Sequence, residues 1–193
     1  MQMQAEAFTR AKQVRLLILD VDGTLTDGGI YLNDEDELFK PFFARDGLAL
    51  RLWQQQTGHA LAIITGRSST IVQKRAQELG IEDVWMGHLD KRAAYASLKT
   101  KYGVSDAAVA YIGDDLVDLQ ILCQVGFPIA VSDAVDEVRQ VAQLITEHAG
   151  GRGAVREAIE FLLKAQGLWQ AIIASFQDVS KAGEVGKDAR FPI

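Results

Sequence analysis

Near-continuous apolar runs alternate along the chain with amphipathic stretches of about ten residues. Val14–Leu19, His59–Ile64 and Ala108–Ile112 are the strongest runs, with the continuous apolar pattern of strands buried on both faces. Val84–Met86 and Pro128–Val131 predict shorter strands, and Gln143–Ile145 a short edge strand. Between them the pattern predicts helices over Gly47–Gln56, Ser68–Leu79, Lys91–Lys101, Leu116–Gln124, Val135–Ala142, Ala154–Gln166 and Trp169–Phe176. Asp46 reads as the N-terminal cap of the first of these, and Gly80 and Gly103 as C-terminal stops. Gly29–Leu32 and Glu37–Phe42 flank Asn33-Asp34-Glu35-Asp36, the signature of a hairpin with an acidic turn. Strands separated by helices predict an α/β fold: a doubly wound, Rossmann-like, mainly parallel sheet with helices on both faces. The hairpin, over about 26–43, is a small insertion into a single domain spanning 1–176. The tail 177–193 has little apolar pattern and is expected to be mobile.

In such sheets ligands bind at the carboxyl ends of the strands. Each of the three strongest motifs follows a predicted core strand: Asp20-Val21-Asp22-Gly23-Thr24, Thr65-Gly66-Arg67 and Gly113-Asp114-Asp115. Positions i and i+2 of a strand share a face, so Asp20 and Asp22 can crowd one small site, and the Asp22 carbonyl can turn toward it. Such hard oxygen ligands suit Mg²⁺. An isolated Asp-x-Asp is usually only an acidic turn; the convergence of three motifs on one sheet edge argues for a site. Thr65 can donate to a phosphoryl oxygen beside the free N–H groups of the next helix, although a plain strand-to-helix turn reads equally well. Lys91 opens a helix after Asp90 and can sit at a site or in solvent. Asp114, Asp115 and Asp118 crowd a helix start, where acids also complement the helix dipole. Arg45, Arg51, Arg67 and Arg75 form the basic cluster; guanidinium forks suit phosphates and carboxylates, though singly each reads as surface charge.

The 193 residues are 48% hydrophobic and 24% charged, as in an ordinary globular protein. A formal charge of −6 argues against general nucleic-acid binding, so an anionic substrate needs the local arginines. No stretch approaches the roughly 20 apolar residues of a membrane span. Met1–Lys12 does not read as a signal peptide, and with one cysteine the expected compartment is the cytoplasm. Cys123 lies among Leu119, Ile121 and Leu122 and is expected in the core. His59, His88 and His148 lack metal-site spacing and read as structural; Trp53 and Trp85 read as core or interface.

Asp20-Val21-Asp22-Gly23-Thr24 resembles the first motif of the haloacid dehalogenase-like phosphohydrolases. The resemblance implies a Mg²⁺-dependent phosphatase. Asp20 would be the nucleophile that becomes an aspartyl phosphate, and Asp22 the general acid and base. Thr65 matches the second motif. Lys91 would neutralise charge between Asp20 and phosphate. Asp114 would join Asp20 and Asp22 on the metal, with Asp118 supporting the metal shell; Asp115 is left open between outer ligand and cap. There is no large insertion between Asp22 and Thr65, as in capless members. Phe43-Ala44-Arg45-Asp46-Gly47 with Arg51, and Ala149–Glu157 with its Gly-Gly-Arg-Gly, resemble the subgroup acting on 3-deoxy-D-manno-octulosonate 8-phosphate in lipopolysaccharide biosynthesis. The similarity runs roughly over residues 14–170. It implies a homotetramer with hairpins gathered at its centre and neighbours completing each site. The implied substrate contacts are Asp22, Phe43, Ala44, Arg45, Asp46, Gly47, Arg51, Arg67, Arg75 and Lys91. Phe43 is apolar where a polar residue is expected, and the segment after Trp169 is unlike the subgroup. A nine-carbon sugar acid phosphate is therefore the alternative substrate, and a non-catalytic partner of a sugar nucleotidyltransferase the alternative role. A response-regulator receiver is disfavoured by the second aspartate of the pair.

Overall fold

The computed structural model describes residues 2–34 and 37–178. Its centre is β1 (Leu16–Leu19), whose four apolar residues are all buried. Parallel neighbours β4 (Ala60–Ile64) and β6 (Val109–Gly113) flank it. Outside them lie β5 (Asp83–Trp85) on one side, and β7 (Phe127–Ala130) and β8 (Leu144–Ile145) on the other. The order is β5-β4-β1-β6-β7-β8, six strands, all parallel. The sheet fits the expected Rossmann-like architecture, with Gln143–Ile145 supplying the edge as anticipated.

The connecting helices are α2 (Ala44–Thr57), α3 (Thr70–Leu79), α4 (Arg92–Tyr102), α5 (Leu119–Leu122) and α6 (Asp136–Val141). Right-handed crossovers put connections running toward β5 and those running toward β8 on opposite faces. The packing agrees: α2 contacts α3, while α4 contacts α5 and α5 contacts α6. The face holding α2 is completed by α1 (Gln2–Ala11), α7 (Ala154–Ala165) and α8 (Trp169–Gln177). α7 is the keystone of that layer, burying Val155, Ile159, Leu162 and Leu163. Its Phe161 stacks on Phe127 of β7 and takes Phe8 of α1 edge-on.

Several local expectations need correction. The polar leader Met1–Lys12 contains helix α1, whose docking residues Ala7 and Ala11 are too weakly apolar to stand out in sequence. The helix expected over Leu116–Gln124 is a 3-10 turn, Leu116–Asp118, followed by one α-turn. Cys123 falls at the end of that turn and is exposed rather than in the core. α2 starts at Ala44, so Asp46 lies inside its first turn instead of capping it. The buried Asp46 Oδ1 accepts the Arg156 N–H at 2.7 Å. That N–H belongs to the first turn of α7, whose N-cap Gly153 offers no side chain. Asp46 is thus a cap donated from one helix to another. Among the described residues, the hairpin insertion comprises β2 (Tyr31–Leu32) and β3 (Glu37–Phe39), with Tyr31 stacked on Phe39. Glu35 and Asp36 of its acidic turn, and the tail beyond Asp178, lie outside the described residues.

Burial pushes the Asp46 carboxyl up to about 6, against the pull of the Arg156 and Gly153 N–H groups. Its folded value exceeds its unfolded one, so the stability it contributes at low pH is lost as pH rises through about 6. Asp46→Ala should cost about 1–2 kcal/mol, the typical value of a lost cap. Asp46→Asn keeps the acceptor and should gain on the wild type as pH rises through that range. Urea unfolding on either side of it checks this; an Asn variant as unstable as the Ala variant throughout would contradict the capping role.

Candidate active site

β-sheet register assembles the site. Leu19 is level with Ile63 of β4 and Ile112 of β6, so Asp20 emerges level with Ile64 and Gly113. The Asp20 N–H still donates to the Ile112 carbonyl at 3.0 Å, holding the residue to the strand end. The chain then closes into a turn in which the N–H groups of Thr24, Leu25 and Thr26 all return to the Val21 carbonyl. Gly23 makes this possible. Its φ is +96°, and a Cβ there would lie 2.1 Å from Asp114 Oδ2. From the far end of the chain, Gly150 presses against the same turn; a Cβ on it would lie 1.7 Å from the Gly23 carbonyl oxygen. The Gly151 N–H donates to the Thr24 carbonyl and Arg152 pairs with Asp27. The Gly-Gly-Arg-Gly segment therefore braces the Asp-x-Asp turn.

Carboxylate oxygens of Asp20, Asp114 and Asp118 lie within 4.8 Å of one another. Lys91, wholly buried, places Nζ 2.5 Å from Asp20 Oδ1 and 2.6 Å from Asp118 Oδ1. Tyr111, from β6, donates to Asp118 Oδ1 at 2.6 Å. The other oxygen of Asp118 accepts the N–H groups of Asp114 and Asp115. Thr24 donates to Asp114. Asp115 is exposed and caps the 3-10 turn, closing a reciprocal capping box with Asp118; of the two roles left open for it, the geometry provides the cap. Asp118 sits inside the carboxylate cluster itself. Tyr111 carries no sequence signal beyond its place in an apolar strand.

Asp22 faces elsewhere. Its Oδ1 is paired with the ammonium of Lys40, a buried residue that the sequence reading passed over. Lys40 also pairs with Glu37 of β3 at 2.9 Å, and Glu37 accepts from the Ser69 hydroxyl. The signal was available: a lysine inside an apolar hairpin strand, eighteen residues from an aspartate motif.

Thr65 is buried one residue past the point level with Asp20, its N–H bound to the Trp85 carbonyl. The arginines spread over the surface beside α2 and α3. Arg67 is exposed, 4.0 Å from Glu37. Arg51 donates to the Glu78 carbonyl. Arg75 pairs with Glu78 and lies over Gly47, where a Cβ would meet its guanidinium at 2.3 Å. In the run Phe43–Gly47, Ala44 and Arg45 are exposed, Phe43 is half-buried, and Asp46 and Gly47 are buried. His59 packs on the buried Trp53, His88 on Trp85, and His148 pairs with Glu157; none joins the carboxylates.

Burial, then the charge of Asp118, pushes Asp20 well above the usual carboxylate range, with Lys91 opposing. The same two causes raise Asp114 to about 7. Burial would lower Lys91, but Asp20 and Asp118 outweigh it and raise it. One ammonium facing three crowded carboxylates leaves an excess of buried negative charge. That excess, on hard oxygen donors, fits a small divalent cation such as Mg²⁺. Without one, the chain loses stability as pH rises through about 7, because Asp114 folds more favourably protonated. Added Mg²⁺ should therefore raise the melting temperature more above pH 7 than below it; an effect independent of pH, or larger in acid, would contradict this assignment.

Comparison with known proteins agrees with this geometry. A haloacid dehalogenase-like hydrolase family model matches residues 83–159. The 3-deoxy-D-manno-octulosonate 8-phosphate phosphatase KdsC of Escherichia coli K12 is 42% identical over 165 residues, 86% of this chain and 87% of that protein. The phosphatase of that name from Moraxella catarrhalis, solved with a magnesium ion, a phosphate ion and a KDO molecule, superposes with a TM-score of 0.86 at 46% identity, covering 89% of this chain and 98% of that one. The cobalt-bound enzyme from Haemophilus influenzae gives 0.83 at 34% identity, covering 88% and 99%. By sequence identity across most of both chains, and by the carboxylates gathered at the ends of β1 and β6, the chain belongs to the 3-deoxy-D-manno-octulosonate 8-phosphate phosphatase family of haloacid dehalogenase-like hydrolases.

Proposed function

We propose that the chain is a Mg²⁺-dependent phosphatase that hydrolyses 3-deoxy-D-manno-octulosonate 8-phosphate to the free sugar acid and phosphate, acting in the cytoplasm in lipopolysaccharide biosynthesis. The observation that carries this reading is the buried Asp20–Lys91–Asp118 array beside Asp114, in a fold shared with a relative solved with magnesium, phosphate and KDO. Asp20 and Asp114 would hold the cation through their carboxylates and Asp22 through its main-chain carbonyl, which suits an Asp22 side chain already turned to Lys40. Bound Mg²⁺ would screen the charge between the nucleophile and the phosphoryl oxygens.

An Asp20 oxygen then attacks phosphorus, the phosphorus–oxygen bond to the sugar breaks, and Asp22 gives its proton to the departing alkoxide. A water attacks the aspartyl phosphate in turn, Asp22 takes its proton, and phosphate leaves. Lys91 holds Asp20 in place and balances charge, and Thr65 offers a hydroxyl to the phosphoryl group. Arg45, Arg51, Arg67 and Arg75, with Phe43, Ala44, Asp46 and Gly47 shaping the start of α2, would serve the sugar and its carboxylate. With Asp46 buried as a cap, the exposed Arg45 is the charged side chain of that run free to reach outward.

The hairpin supports assembly as a homotetramer with sites completed by neighbours. Ile30, Leu32, Leu38 and Phe39 are all about half exposed or more, an apolar surface of the kind that marks an interface. Light scattering should report a tetramer, and Leu38→Glu should dissociate it with loss of turnover; a monomer with full activity would contradict this.

Phosphate release with Mg²⁺ across a panel of eight- and nine-carbon sugar acid phosphates tests the substrate. Strong preference for the eight-carbon acid is expected. Preference for a nine-carbon acid would transfer the assignment, and no release from any would favour the non-catalytic partner role. Asp20→Asn should lower turnover by about a thousandfold or more with the melting temperature retained; retained turnover would overturn the nucleophile.

A further inference from the structure

We propose that Lys40 is a positioning residue for the general acid: its ammonium fixes which oxygen of Asp22 carries the transferable proton. The proposal rests on the phosphatase reading above and deepens it. Lys40 follows directly on strand β3, and its side chain is 1% exposed, whereas the Asp22 side chain keeps 19%. A buried ammonium is costly unless paired. Here the pairing is double, to Asp22 Oδ1 and to Glu37 Oε1. Glu37 is anchored in turn by the Ser69 hydroxyl, which also caps α3 by accepting the Val72 N–H. Burial pushes the Glu37 carboxyl up, but Ser69, Lys40 and Arg67 together hold it below its ordinary range, so it stays a charged anchor. The network ties the hairpin, the first motif and the helix after the second motif to one nitrogen.

An ammonium has only hydrogens to give. The Asp22 oxygen facing Lys40 must therefore act as acceptor, which leaves Oδ2 as the oxygen able to give a proton to the leaving group. Lys40 also restrains rotation of the carboxyl group, so Oδ2 is already aimed when substrate arrives. Preorganisation of this kind affects the step in which the proton moves. As the Asp20–phosphorus bond forms and the phosphorus–oxygen bond to the sugar breaks, the Oδ2 proton passes to the sugar oxygen and Asp22 becomes the carboxylate that Lys40 stabilises.

A leaving group that needs no proton provides the test. In holoenzyme with Mg²⁺, first-turnover release of the leaving group from the sugar acid phosphate, whose alkoxide needs one, is compared with that from p-nitrophenyl phosphate, whose phenolate does not; the first turnover precedes hydrolysis of the aspartyl phosphate, where Asp22 acts as base for both substrates. Lys40→Met should lower this rate on saturating sugar acid phosphate about a hundredfold, the low end of what general acid catalysis contributes. On p-nitrophenyl phosphate the loss should stay within about tenfold of the wild type, as expected where acid assistance is dispensable. Lys40→Arg, which keeps a buried cation donor, should restore most of the difference. Should Lys40→Met fold poorly because Glu37 loses its partner, the double variant Lys40→Met/Glu37→Met removes the stranded charge and should show the same selective loss. A parallel fall on both substrates in a folded variant would reduce Lys40 to a clamp for the hairpin and overturn the proposal. Wild-type protein inactive on both substrates would instead overturn the phosphatase reading on which it rests.

Discussion

The structure turns on one buried ammonium ion. Lys91 Nζ lies between Asp20 and Asp118 with Tyr111 beside it, at the point where β1 and β6 end. Removing carboxylates from water is expensive, and crowding them compounds the cost. A fold that needs several acids within a few ångströms must supply positive charge from a fixed position. Here it comes from the residue that opens α4, reached only after the chain has crossed from β5. The remaining negative charge makes the site receptive to a hard cation, and with it to a phosphate.

Much of the surrounding backbone serves that convergence. Gly23 yields space that Asp114 occupies, and Gly150 yields space that the Gly23 carbonyl occupies. Asp118 spends one oxygen on Lys91 and Tyr111 and the other on two backbone N–H groups. The carboxylates are thereby fixed before any ligand arrives. The same economy recurs at Asp46, which caps α7 and so binds the start of α2 to the helix following the Gly-Gly-Arg-Gly brace. That carboxylate ties the N-terminal ends of two helices of one layer to each other.

The sheet was legible because its strands are buried on both faces and read as unbroken apolar runs. Asp20, Thr65 and Asp114 were legible because each stands one or two residues past such a run. Elements positioned by tertiary contact were not. α1 buries the alanines Ala7 and Ala11 while Phe8 meets Phe161 from a partly exposed position, and α5 is cut short after the capping box formed by Asp115 and Asp118. Cys123 consequently faces solvent despite its apolar neighbours in sequence. Asp46 looked like a local cap and proved to be a distant one. Tyr111 was invisible because its partner lies 7 residues away, across a turn that only the folded chain closes; Lys40 stood out as a charge in an apolar hairpin strand, but nothing in the sequence paired it with Asp22, 18 residues away.

The central claim is that this array transfers a phosphoryl group through Asp20. The most direct measurement is acid-quenched peptide mass spectrometry of the Asp22→Asn variant incubated with Mg²⁺ and p-nitrophenyl phosphate. That substrate phosphorylates without acid assistance, while removal of the base slows hydrolysis of the aspartyl phosphate. The account predicts phosphate accumulating on Asp20. A variant that releases p-nitrophenol yet carries phosphate on another residue, or on none, would contradict it.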